Sequence, residues 1–274
     1  MIPRANITAW RSQAPWALDS QVEQDLVLSR AMVELFSKND IKNLIAIRGG
    51  AALYKFYFKK PERYSEDIDL VQVEAGPIGL IMDGIHQSLD LWLGKPKRQQ
   101  GQGRVTLLYR FMTETEPIIP MRLKVEINTR EHFAVLGFAK HHFAVSNRWF
   151  SGSADVNTYH LEELLATKLR ALYQRKKGRD LYDLWAASRN ASVDVQRLVN
   201  CFQRYLENDR LRISRAEFEA NLHSKLSDPG FGDDINPLLA SEVKWDQMVA
   251  ADYLFAEILP LLPGEPWKGG VKNP

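Results

Sequence analysis

The sequence predicts a mixed α/β protein that continues into a helical C-terminal part, and three observations carry that expectation. Runs at residues 44–47, 67–71, 105–111 and 121–128 have the alternation or the β-branched and aromatic content of strands, with helical stretches among them. Beyond about residue 155 the strand-type patterns stop and the pattern becomes mostly helical. At 274 residues and 45% hydrophobic content, the chain can bury a real core as one large domain or two modest ones. A division into residues 1–155 and 156–274 follows from these patterns.

The formal charge of +2 is nearly balanced, so any nucleic-acid contact must come from local patches. The lone Cys201 excludes an internal disulfide and suits a reducing compartment. The opening residues Met1, Ile2, Pro3, Arg4, Ala5 and Asn6 lack the apolar core of a signal peptide, and no stretch approaches transmembrane length. There are no repeats and no low-complexity tract. The expectation is a soluble cytoplasmic protein without a membrane partner.

Residues 1–18 carry Trp10, Pro15 and Trp16 without clear periodicity and read as an irregular arm. Ser20 and Glu23 have the spacing of a capping box. Leu26, Val27, Ala31, Val33, Leu35 and Phe36 then supply the buried stripe of a helix ending near Asn39. Leu44, Ile45, Ala46 and Ile47 form an unbroken apolar run, suited to a strand buried on both faces. Gly49 and Gly50 let the chain turn sharply into a helix over 51–58. Strand, glycine turn and helix start together make an anion site, with free amides pointing at whatever binds.

On the next strand Asp67 and Asp69 share one face, while Ile68 and Leu70 share the other. Two carboxylates side by side repel each other unless a cation sits between them. The expected cation is a hard, oxygen-preferring ion such as Mg2+, which usually also holds substrate phosphates. A phosphate cradle beside a metal-binding Asp-x-Asp is what nucleotidyl or phosphoryl transfer requires.

Residues 78–93 read as a helix, Gly101 and Gly103 as a loop, and 105–111 as a strand. The cleanest alternation lies at 121–128, where Leu123, Val125 and Ile127 face one way and Arg122, Lys124, Glu126 and Asn128 the other. This is either a sheet with one solvated face or, beside the Asp pair, a strand offering Glu126 as a third metal ligand. Residues 143–145 and 149–150 add short edge strands, and Ser151, Gly152, Ser153, Ala154 and Asp155 read as a connection.

An amphipathic helix over 162–173 follows, its face lined by Leu161, Leu164, Leu165, Leu169 and Leu172. Lys168 takes the position in that stripe where an apolar residue is expected. It either snorkels at the rim of the core or reaches a phosphate as a mobile point charge. Arg175, Lys176, Lys177 and Arg179 form a dense basic turn, with Gly178 closing one helix and Asp180 opening the next. That turn is either solvated or holds phosphates of a nucleotide or of RNA. Asp180 and Asp183 are i, i+3 neighbours. Helices at about 194–207, 214–226 and 245–259 complete the chain, with Trp245, Tyr253 and Phe255 as core residues. Pro260, Pro263 and Pro266 with Gly264, Gly269 and Gly270 mark a frayed tail.

Four blocks in one order resemble the AbiEii/AbiGii nucleotidyltransferase toxin family of type IV toxin–antitoxin and abortive-infection systems, related to the MenT toxins. They are Gly49-Gly50; Arg63-x-Ser65-x-Asp67-Ile68-Asp69-Leu70; Lys124-Val125-Glu126; and Lys168-Leu169-Arg170-Ala171-Leu172 leading into Gly178-Arg179-Asp180-Leu181-Tyr182-Asp183-Leu184. They run from about residue 45 to 185, roughly half the chain. The resemblance implies a nucleotidyltransferase-fold mixed sheet flanked by helices, then a helical domain contributing Lys168 and Asp183 to the site. It implies Mg2+-dependent transfer of NMP from NTP with release of pyrophosphate. The implied acceptor is RNA, in some members the tRNA 3′ end, which blocks translation, and an antitoxin is typically encoded nearby.

By motif match Asp67 and Asp69 would hold two Mg2+ ions, and Lys168 and Asp183 would be the other essential pair. Glu126 would complete the metal site or act as general base. Gly49, Gly50 and Ser65 would contact phosphate oxygens, Lys168 the triphosphate, and Arg175, Lys176, Lys177 and Arg179 an RNA backbone. Other acceptors of this chemistry are a protein or a small molecule. A non-catalytic nucleotide- or RNA-binding protein would leave Asp67, Asp69, Glu126 and Lys168 together unexplained.

Overall fold

The protein is described here by a computed structural model covering residues 2–269, which divides into two compact units. The first runs to His160 and includes Leu239–Glu242; the second comprises Leu161–Leu238 and the segment from Val243 onward.

The first unit opens with helix α1 (Arg4–Trp10), where the sequence suggested an irregular arm. Seven residues are too few to display a stripe, yet Ile7 and Trp10 are buried. Helix α2 (Asp19–Ser37) starts one residue before the expected cap. The side chain of Gln21, not Glu23, accepts from a backbone amide at this end, that of Leu18 at 3.3 Å. Glu23 is fully buried and serves a different purpose.

Strand β1 (Ile45–Arg48) leads into α3 (Gly49–Ala52), which continues as a π-helical turn over Leu53–Tyr57. Then come β2 (Asp67–Gln72), α4 (Gly79–Leu93), β3 (Lys97–Gly101), β4 (Arg104–Met112), β5 (Pro120–Asn128), β6 (Phe138–Ser146) and β7 (Ser151–Tyr159). The strands form one mixed sheet in the order β3-β4-β5-β2-β1-β7-β6. β1 pairs antiparallel with β2, while β2 with β5 and β1 with β7 are parallel.

The stretch Ser151 to Asp155, expected as a connection, is the first half of β7, an internal strand. Its small polar residues carry no apolar signal. The strand is secured further along, where Thr158 Oγ1 donates to the carbonyl of Ile47 at 2.7 Å. β3 was invisible for a related reason: every residue of Lys97–Gly101 is exposed, and only pairing with β4 makes it a strand.

One sheet face is apolar. Ile68, Leu70, Val105, Leu107, Tyr109, Leu123, Val125 and Ile127 are all buried, each large side chain contributing about 1.5–3 kcal/mol. The other face carries Asp67, Asp69, Lys124 and Glu126, so alternation alone decides which residues remain available for chemistry.

Three consecutive buried polar residues of α2 tie this unit together. Glu23 accepts from the backbone amide of Glu114 at 3.1–3.2 Å, in the turn between β4 and β5. Gln24 Nε2 donates to the carbonyls of Glu66 (3.1 Å) and Arg122 (2.8 Å), bridging the β2 and β5 chains. Asp25 accepts from Lys55 (2.8 Å) and Trp10 (2.9 Å), anchoring the π-helical turn and α1.

The second unit is helical: α5 (Leu161–Gln174), α6 (Gly178–Asn190), α7 (Val195–Asn208), α8 (Arg215–Leu226) and α9 (Gln247–Tyr253), the last continuing through π- and 3-10-helical turns to Leu261. Asp194, Ser214 and Asp246 cap α7, α8 and α9 through their side chains, as these residue types do. Gly178 begins α6 instead of closing α5. A Cβ there would lie 2.4 Å from the carbonyl oxygen of Phe231, so close approach is what requires glycine. The end of α5 is instead capped by the buried Lys225 ammonium, which donates to the carbonyls of Leu172 and, at 2.8 Å, Tyr173. Trp245 packs on Tyr182 and Trp185. Cys201 is buried, and burial pushes its thiol up to about 12, which suits a core residue. Gly270, part of the expected tail, lies outside the described residues. Among the described residues no helix is long and apolar enough to cross a membrane.

Candidate active site

The site in the first unit is built by strand register. Asp69 pairs with Arg48 on β1 and with Glu126 on β5, and Asp67 pairs with Lys124. Opposed residues point to the same face, so Asp67, Asp69, Lys124 and Glu126 meet there, as the alternation of both strands predicts. All four are half-buried.

The cation between the carboxylates is one that the sequence reading passed over. Lys124 Nζ lies 2.9 Å from Asp67 Oδ2 and 3.6 Å from Glu126 Oε2. Burial works against the Lys124 ammonium, but its bond to Asp67 and the nearby charges of Asp67, Asp69 and Glu126 outweigh that and hold its pKa above the usual value. Burial raises the carboxyl of Asp67, and the charges of Asp69 and Glu66 add to the rise, against the lowering effect of Lys124. Among the described residues no three His, Cys, Asp or Glu side chains are arranged to hold a metal ion. Asp67, Asp69 and Glu126 nonetheless share one face and are oxygen donors of the kind a hard divalent ion takes. Lys124 is the competitor such an ion must displace from Asp67.

The glycine turn lies against these groups. Gly49 has φ +77, and a Cβ built on it would sit 2.3 Å from Asp69 Oδ2. A Cβ on Gly50 would meet the Arg63 guanidinium at 2.6 Å and Ser65 Oγ at 2.9 Å. The two glycines therefore hold the helix start close to Asp69, expected as a metal ligand, and to Ser65, expected at a phosphate. Arg48 pairs with Glu131 at 2.6 Å. Burial opposes its charge, but Glu131, then Tyr159 and Asp69, raise its pKa. Beside Ser65 and Arg63 opens a cavity of about 190 Å³ whose buried Asp25 is already paired with Lys55.

In the second unit the structure brings Lys168 and Asp183 together, with Nζ 2.7 Å from Oδ2. Asp180 stands 3.5 Å from the same ammonium and receives two hydrogen bonds from Arg175, at 2.7 and 2.8 Å. Both aspartates are fully buried. Lys168 is therefore neither a rim lysine nor open to solvent; it neutralises a buried acidic pair. The basic turn is partly committed as well: Arg175 serves Asp180 and Lys176 pairs with Asp228, while Lys177 precedes α6 and is exposed.

The profile of the family described as nucleotidyl transferase AbiEii toxin, type IV TA system, matches residues 30–252. No curated protein sequence matches the chain. Among solved structures, the nucleotidyltransferase toxin MenT4 of Mycobacterium tuberculosis superposes with a TM-score of 0.67 at 16% identity, covering 96% of this chain and 91% of that one. The Helicobacter pylori protein JHP933 gives 0.55 at 16% identity, covering 89% and 92%. A putative nucleotidyltransferase of H. pylori gives 0.56 at 17% identity, covering 89% and 95%. At such identities these likenesses establish the fold, a nucleotidyltransferase-like mixed sheet with helices. The profile, which spans most of the chain and every block of the motif from Gly49 to Asp183, establishes more: the chain belongs to the AbiEii nucleotidyltransferase toxin family of type IV toxin–antitoxin systems, and it is a nucleotidyltransferase.

Proposed function

We propose that the protein transfers a nucleoside monophosphate from an NTP to an RNA acceptor, the tRNA 3′ end, with release of pyrophosphate and a block of translation. The observation that carries this reading is the cluster of Asp67, Asp69 and Glu126 on one sheet face beside the Gly49–Gly50 turn. Asp67 and Asp69 would hold Mg2+, with Glu126 completing the site, and the ion when bound would supply charge neutralisation at the phosphates.

Glu126 accepts the proton of the attacking hydroxyl. The hydroxyl oxygen bonds to the α-phosphorus, the bond from that phosphorus to the bridging oxygen breaks, and pyrophosphate leaves with the electron pair. Ser65 Oγ and the amides at Gly49 and Gly50 donate to phosphate oxygens. Lys168, which the family resemblance brings to the triphosphate as a point charge, would have to leave the buried Asp183 and Asp180 to reach a phosphate. Lys177 and Arg179 are the members of the basic turn best placed to hold an RNA backbone, since Arg175 and Lys176 already face carboxylates. Family membership implies an antitoxin as partner.

The test is incubation with Mg2+, each α-labelled NTP in turn and total RNA, resolved on a denaturing gel. Label should enter the tRNA band, and Asp69→Asn should cut its incorporation at least about a hundredfold. Label appearing only in protein or in a small molecule would overturn the RNA acceptor.

A further inference from the structure

The open sheet face carries a second charge pattern that the chemistry proposed above does not use. Register arranges this face in rows. Asp69, Glu126, Thr106 and Gln99 form one row across β2, β5, β4 and β3, and Asp67, Lys124, Leu108 and Lys97 form the next. One step further, about 7 Å along the strands, Arg122 on β5 stands directly opposite Arg110 on β4. On the other side of the rows, Arg104 stands opposite Asn128. Lys97, Arg104, Arg110 and Arg122 are all exposed. The face thus has its carboxylates over β2 and β5 and its uncommitted cations over β3, β4 and the start of β5.

Lysine on an outermost strand such as β3 is the ordinary protection of a sheet edge and by itself points to nothing. The arginine pair is different. β4 and β5 pair with each other through this position, and neither is the outermost strand of the sheet. Like charges directly opposite each other destabilise a sheet, and among the described residues no carboxylate pairs with either guanidinium. Two opposed cations that cost stability and lack an internal counter-ion call for an external polyanion, by the same reasoning that makes Asp67 and Asp69 call for a cation. The backbone beneath is fixed, because Gln24 holds the carbonyl of Arg122 at 2.8 Å.

We propose that this face of β3, β4 and β5 is the track along which the phosphodiester backbone of the RNA acceptor is held as its end reaches the carboxylates Asp67, Asp69 and Glu126. Arg110 and Arg122 are its centre, flanked by Lys97 and Arg104. The proposal rests on the RNA-transfer reading above, and it names the surface that recognises the acceptor. Exposed guanidinium groups on a sheet face grip phosphates without reading bases, so recognition here is independent of sequence.

The experiment uses the full chain with Arg110→Gln and Arg122→Gln combined, and separately with Lys97→Gln and Arg104→Gln combined. Binding of labelled tRNA is measured across salt concentrations, alongside NMP transfer and thermal stability. Each double variant should weaken tRNA binding on the order of tenfold and lower the slope of log affinity against log salt by about 2. KM for RNA should rise while KM for the nucleotide stays. The arginine variant should melt no lower than the wild type, since a repulsion has been removed. If both variants keep the wild-type affinity and salt slope, the track is wrong, even where the wild type labels RNA and the transfer reading stands. A track that bound an acidic protein instead would give that same unchanged RNA result and would equally overturn the proposal. If the wild type labels no RNA, the transfer reading fails, and the binding arm still decides: tRNA affinity lost in the variants upholds the surface, and its absence in the wild type sinks it.

Discussion

At the scale of single residues, three side chains show how charge is managed in this protein. Lys124 occupies the place between carboxylates that the sequence reading gave to a metal ion, so the Asp67–Asp69 pair is tolerable without one. Gly49 is there because the turn needs a positive φ and because Asp69 leaves no room for a Cβ. Gly49→Ala should cost about 1–2 kcal/mol for the left-handed backbone alone and push Asp69 aside; a denaturant midpoint that does not move would refute this account. Lys168 reads differently in the sequence and in the structure. As a lysine in an apolar stripe, its replacement by Met looks harmless to folding. As the neutralising partner of the buried Asp183 and Asp180, it is not. Lys168→Met should destabilise by about 3–5 kcal/mol, because removing one member leaves buried charge uncompensated. Lys168→Arg, which keeps the charge, should recover much of that in urea unfolding. Any test of Lys168 in nucleotide binding must begin from the charge-conserving variant.

At the scale of elements, α2 is the organiser of the first unit, and its polar residues do what its apolar stripe cannot. Glu23, Gln24 and Asp25 hold the β4–β5 turn, the β2–β5 bridge and the π-helical turn after Gly49–Gly50. Burial pushes the Glu23 carboxyl up to about 7 from 4.5. Between those values the folded chain binds more protons than the unfolded one, so this group's contribution to stability, full at low pH, is lost as pH rises through 7. Glu23→Gln does not titrate. Its melting temperature relative to the wild type should therefore climb between pH 5 and 8, by an amount worth at most about 3 kcal/mol, and a constant difference across that range would rule the assignment out. The elements that sequence reasoning missed share a cause. α1 is too short to show a period, β3 has no buried residue, and β7 begins with small polar residues. Each exists because a neighbour supplies hydrogen bonds or covers one side.

At the scale of the whole molecule, the charge of Asp67 is met from within the sheet, by Lys124 on the neighbouring strand. Chelation with EDTA should therefore abolish NMP transfer while leaving the melting temperature within about a degree, since Lys124 already neutralises Asp67. A large fall in melting temperature would show that the metal is structural. Much of the architecture was legible in the chain: alternation at Asp67–Gln72 and Pro120–Asn128 assigns the buried and the polar face of the sheet, and the stripe from Leu161 to Leu172 assigns α5. Periodicity records which side of an element is buried, and burial is a local property of the sequence. The family, too, was legible, because its blocks fall in one order at set spacings. What periodicity cannot record is which charged residue meets which. That Lys124 reaches Asp67, that Lys168 is held by Asp183 and Asp180, and that Arg110 stands opposite Arg122 depend on strand register and helix packing. Those partnerships lie 57, 15 or 12 residues apart along the chain, and only the folded chain sets their distances, and hence the sign of each charge's contribution.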